Sequence, residues 1–174
     1  MTEVGRADKS FLTIGFIVNP IAGIGGSLGL KGSDELAAMD AMPIDPNSPE
    51  LSRSMNRAQR TLALLMPHTA QLRFACWGGV MGQAVLDSLG LHGEILGGAE
   101  NENTGAGDTQ LAARAMVAKN VDIIVFVGGD GTARDIFDAV GENYPVLGIP
   151  AGVKMHSGVF AVSPEAEGLH CRIP

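Results

Sequence analysis

Residues 121–140 read VDIIVFVGGDGTARDIFDAV, and the fold follows from how this stretch is parsed. The apolar run from Ile123 to Val127 is rich in β-branched residues, the pattern of a strand buried on both faces in a parallel sheet. Ile136, Phe137 and Val140 then recur at helical spacing, so Gly128, Gly129, Asp130, Gly131 and Thr132 are expected to form a turn from strand to helix. Such a turn suits phosphate. Glycine lets the backbone approach an anion closely, and the first N–H groups of a helix are unpaired and lie at its positive end.

Asp130 gives this turn a chemistry beyond binding. A carboxylate among anion-binding N–H groups repels phosphate unless it has another task. Two tasks fit: holding a metal ion, or accepting a proton from an attacking hydroxyl. Both belong to phosphoryl transfer. A purely structural reading, in which Asp130 stabilises the turn or the helix start, uses the same residues. The spacing matches neither G-x-G-x-x-G nor a Walker A loop, which needs a Gly-Lys-Ser/Thr absent here.

Working outward, residues 13–18 (TIGFIV) form a short apolar strand that stops at Asn19-Pro20. The stretch 21–32, IAGIGGSLGLKG, is too rich in glycine for a regular element and reads as a second loop for close backbone approach. Asn19 has an amide able to position Asp130 or a phosphate, and Lys31 a cationic side chain. Asn-Pro is also a common turn opener, and a lysine in a glycine loop is commonly just solvated. A short helix is expected after Ser33, and a loop over 43–49. Leu51, Met55, Ala58, Leu62 and Leu65 fall on one helical face, leaving Arg53, Arg57 and Arg60 to a solvated one.

Further strands are expected over 72–76, 94–96 and 144–150, and further helices over 80–89 and after Asp108 or Thr109 as N-cap. Trp77, at a strand end, serves either core packing or a pocket wall. His156, after the last strand, is not taken as a base. Alternating strands and helices make an open, mostly parallel α/β sheet of about five strands with helices on both faces, in which ligands bind beyond the carboxyl ends of the strands. Asn19, Gly23, Gly128 to Thr132 and Gly152 then converge on one crevice.

Composition narrows the classes. A chain of 174 residues, 45% of them hydrophobic, can bury one core and reads as a single domain, 1–174. Its 24 glycines are about twice the usual share of roughly 7%, which suits many tight strand-to-helix turns. A net charge of −7 with no basic stripe argues against nucleic acid as a partner, while small nucleotides remain compatible through backbone N–H groups and Mg²⁺. The first ten residues lack a signal-peptide core, and no run of 18 apolar residues occurs, so a cytoplasmic protein without a membrane partner is expected. Cys76 and Cys171 read as reduced thiols.

Gly128-Gly129-Asp130-Gly131-Thr132 resembles the GGDGT signature shared by NAD kinases and by diacylglycerol and sphingosine kinases, with a related motif in phosphofructokinases. Asn19-Pro20, Ala22-Gly23-Ile24-Gly25-Gly26, Gly29-Leu30-Lys31-Gly32, Thr104 with Asp108-Thr109, and the stretch 148–155 (GIPAGVKM) are similar to the ATP-NAD kinase/AcoX-type branch. The resemblance covers about residues 14–164 and implies a Rossmann-like N-terminal domain of an NAD kinase. It implies Mg²⁺ with ATP, or polyphosphate as donor, and NAD as acceptor through its adenosine ribose 2′-hydroxyl. It also implies that Gly23, Gly25, Gly26, Lys31, Thr104, Asp108 and Thr109 lie near the nucleotide, with Asp130 catalytic. Family members self-associate, so a homo-oligomer is an expectation. The β-rich C-terminal domain of the family has no counterpart in the 174 residues, which keeps two alternatives open: a non-catalytic nucleotide-binding module or inactive fragment, and a kinase for another small alcohol or lipid.

Overall fold

The structure, a computed structural model, describes residues 10–22, 49–98, 104–152 and 158–160. In chain order these form β1 (Leu12–Val18), α1 (Pro49–Ala63), β2 (Leu72–Cys76), α2 (Gln83–Ser88), β3 (Gly93–Ile95), α3 (Ala106–Ala118), β4 (Ile123–Gly128), α4 (Asp130–Val140) and β5 (Val146–Pro150). The short helix expected after Ser33 and the loop over 43–49 lie almost wholly outside the described residues.

All five strands are parallel and lie in the order β3-β2-β1-β4-β5. The chain therefore builds the sheet outward from β1 in one direction, returns, and builds from β4 in the other. β1 and β4 are neighbours, with Phe16 against Val125 and Val18 against Val127. The helix that follows β1, α1, packs on one face and the helix that follows β4, α4, on the other, so the strand order switches between them, the place where open α/β sheets bind ligands.

Both faces of the sheet are covered, as the unbroken apolar runs require. Ile14, Phe16, Val18, Val125 and Val127 meet Ala58 and Leu62 of α1 and Val85 and Leu86 of α2. Ile17, Ile124 and Phe126 point the other way, to Ala112, Ala113 and Met116 of α3 and Ile136 of α4. Phe16, Ile17 and Val18 are successive residues with 0% exposure, so β1 is the centre of the molecule. Phe160 adds an edge-on contact to Phe126 and lies over Gly148.

The helix expected over 80–89 is broken. A 3₁₀ turn, Gly79–Met81, precedes α2, and Gly82 between them has φ +154°, a conformation L side chains rarely adopt. A Cβ there would also stand 2.9 Å from the Phe16 carbonyl oxygen. Trp77 is 7% exposed and its ring lies on Gly97, so it packs in the second core, with its indole N–H unpartnered among the described residues.

Cys76 is a free, buried thiol, and burial, aided by the nearby charge of Asp87, pushes it from 9.0 up to about 11. Between these values the unfolded chain releases a proton that the folded chain keeps, so stability falls as pH rises through this window. In a Cys171→Ser background, urea unfolding at pH 8 and pH 10 is expected to show a loss larger, by on the order of 1–2 kcal/mol, than that of the same chain with Cys76→Ala added. An equal loss in both chains would contradict the assignment.

Candidate functional site

The joint between β4 and α4 is shorter than the five-residue turn expected from the sequence. β4 ends at Gly128, α4 begins at Asp130, and Gly129 alone links them, extended at φ −115° and ψ −170°. The glycine-rich stretch needs no loop because each small residue is absorbed into an element. Asp130, Gly131 and Thr132 become the first three helical residues, and helix geometry leaves their N–H groups without an intrahelical acceptor. The first helical bond runs from the Ala133 N–H to the Gly129 carbonyl at 3.0 Å. Asp130 is half-buried at this end, where a carboxylate is favoured by the helix dipole.

Asn19 leaves β1 at the same edge and uses both ends of its amide. Nδ2 donates to Thr132 Oγ1 at 2.8 Å, and Oδ1 accepts the Ile21 N–H at 3.1 Å, closing an Asx turn over Pro20. Its backbone N–H donates to the Val127 carbonyl at 2.9 Å. Asn19 therefore fastens the end of β1 to the first turn of α4, holding Thr132 rather than touching Asp130. Thr132 is 3% exposed, and its hydroxyl also accepts the Gly129 N–H at 3.4 Å. Asn19→Ala is expected to cost about 0.5–1.5 kcal/mol, because the buried hydroxyl of Thr132 loses the shorter of the two bonds it accepts. A thermal midpoint unchanged within error would show that the bond contributes nothing.

β5 closes the other side. The Ala151 N–H donates to the Gly128 carbonyl at 2.9 Å, which sets half-buried Gly152 beside the β4–α4 joint. Gly23, Gly25, Gly26 and Lys31 lie outside the described residues, as does His156. Two polar groups on α1 that sequence reasoning passed over also reach this edge. Buried Ser54 donates through Oγ to the Ala22 carbonyl at 3.2 Å, and Arg57, expected on a solvated face, is half-buried and donates to the Pro150 carbonyl at 2.6 Å. The available signal was their i, i+3 spacing next to Ala58 on the apolar face.

α3 starts at Ala106, with Gly105 as N-cap, so neither Asp108 nor Thr109 is the cap. Asp108 lies in the first turn and its Oδ2 accepts the Gly105 N–H at 2.9 Å. Thr109 is 2% exposed, and the hydroxyl of Thr104 is buried without a hydrogen-bond partner among the described residues. The helix begins early because Gly105 satisfies the extended cap geometry that a longer side chain was expected to supply.

The arrangement offers amides without an intrahelical acceptor for an anion and a carboxylate within one residue of Gly129, at the point where the strand order reverses. Magnesium is carried largely by waters and phosphates and needs one or two carboxylates, so Asp130 fits the ion without a cluster of ligands. Among the described residues no group of three or more His, Cys, Asp or Glu side chains could hold a metal by itself, and no helix is long and apolar enough to cross a membrane. The model of the ATP-NAD kinase N-terminal domain matches residues 14–170. No curated protein matches the chain.

Proposed function

The chain belongs to the ATP-NAD kinase N-terminal-domain family, and on that premise we propose that it moves the γ-phosphoryl group of ATP to the adenosine ribose 2′-hydroxyl of NAD. The observation that carries this reading is the position of Asp130 at the first helical residue of α4, one residue past Gly129, where β1 and β4 part. Anionic oxygens of the triphosphate bind the N–H groups of Asp130, Gly131 and Thr132, which have no helical acceptor. The bond from the γ-phosphorus to its bridging oxygen breaks as the bond to the acceptor oxygen forms, and the hydroxyl proton passes to the Asp130 carboxylate. Mg²⁺, when bound, neutralises charge on the phosphates, and Asp130 is the described residue that would hold it.

The remaining contribution is positioning. Asn19 and Thr132 hold the start of α4 against the end of β1, so the amides need no rearrangement to meet the developing charge. The test is thermal unfolding of the full chain with Mg-ATP, NAD or both, followed by an NADP assay in the same sample. A ligand at about 100 times its dissociation constant adds roughly 2.7 kcal/mol. A shifted midpoint together with NADP is the expected result, whereas no shift with any nucleotide would sink the proposal. Replacing ATP by polyphosphate in the same assay decides the donor.

A further inference from the structure

We infer that Arg57 binds the polyphosphate of the nucleotide, an assignment that rests on the kinase reading above. Its Nη1 donates to the Pro150 carbonyl at 2.6 Å. Pro150 is the residue paired with Gly128 in the register of β4 and β5, and the next residue, Ala151, bonds the Gly128 carbonyl. The guanidinium is thus tethered to a residue that itself lies about one strand spacing, roughly 5 Å, from Gly128, at the edge from which α4 departs.

Three residues earlier on α1, Ser54 is fixed to the Ala22 carbonyl where the chain leaves β1. α1 therefore bonds the chain beyond β1 and the end of β5, the two strands that flank β4. These bonds set the height of Arg57 along the sheet at the carboxyl edge.

The bond to Pro150 uses one of the five N–H donors of the guanidinium. Among the described residues Arg57 has no carboxylate partner. An arriving anion supplies a counter-charge that the other described residues do not, and it matches the planar fork of the side chain. Tethering to a carbonyl also restricts the rotamers in advance, so less freedom is lost when phosphate binds.

The test uses calorimetric titration of the full chain with inorganic tripolyphosphate and with Mg-ATP, for the wild type, Arg57→Lys and Arg57→Met. Methionine keeps an apolar stem, and lysine keeps the charge without the fork. Arg57→Met is expected to weaken both ligands by about 10–100-fold, the range for a hydrogen bond to a charged group, with Arg57→Lys in between. Variants that bind both ligands as the wild type does, with only the unliganded midpoint lowered, would make Arg57 a structural tether and overturn the inference alone. A wild type that binds neither ligand would overturn the kinase reading and the inference with it. Should Arg57→Met fail to fold, the same comparison is made with Arg57→Lys and Arg57→Gln.

Discussion

An Asp130→Asn chain is expected to form NADP about 10²–10⁴-fold more slowly than the wild type, the usual contribution of a positioned general base, while Mg-ATP still raises its melting midpoint. Asparagine keeps the size of the side chain and its acceptor oxygen, so the start of α4 is preserved. It loses the charge and the ability to take a proton at neutral pH. The helix start itself loses the interaction of a carboxylate with the dipole, about 0.3–1 kcal/mol. Stability and activity are thereby separated. A variant that turns over at the wild-type rate would leave Asp130 a purely structural residue, the reading that the sequence keeps open. A variant that neither folds nor binds would place its importance in the helix start, and Asp130→Glu would then be measured for activity with the charge restored.

Gly128→Ala is the second large effect, and its origin is steric. A Cβ at residue 128 would lie 2.5 Å from Thr132 Cβ, 2.6 Å from its Oγ1 and 2.7 Å from its Cγ2. Thr132 has little room to yield. It is buried, stiff at χ1 as a β-branched residue, and held by Asn19. Nor does Gly128 move readily, because it is paired with Pro150 in the sheet. Overpacking of this kind costs typically about 1–3 kcal/mol, each kcal/mol lowering the midpoint of a chain this size by about 2–4 °C. Mg-ATP affinity is expected to fall as well, since the displaced residue carries the third of the amides without an intrahelical acceptor. Gly107→Ala serves as the contrast. No atom lies within 4 Å of a Cβ there, and the position is helical, so about 0.5–1 kcal/mol of stabilisation is expected. Equal midpoints for the two variants would refute the steric account.

Element order and fold class were legible in the sequence because they rest on local pattern. Buried parallel strands announce themselves as apolar runs such as 123–127, and covering helices as the spacing of Ala58, Leu62 and Leu65. Boundaries were less legible. The helix after Gly129 takes in three residues expected in the turn, Asp130 to Thr132, and Gly82 splits the helix expected over 80–89. Both departures come from glycine, which fits a turn, a cap or the first turn of a helix with no change in periodicity. The same ambiguity assigned the cap of α3 to Asp108 or Thr109 rather than to Gly105.

By itself the sequence determined an α/β domain with a glycine–aspartate junction suited to an anion, since covalent order and side-chain period are enough for that. Only the tertiary structure decided what surrounds the junction. The strand order brings Asn19 to Thr132 across 113 residues and Arg57 to Pro150 across 93. Periodicity extends over a few turns of one element and carries no information about which strand lies beside which. The partners of Asn19 and Arg57 are therefore set by the way the sheet is assembled, with β1 beside β4 and α1 bonded to the chain beyond β1 and to the end of β5.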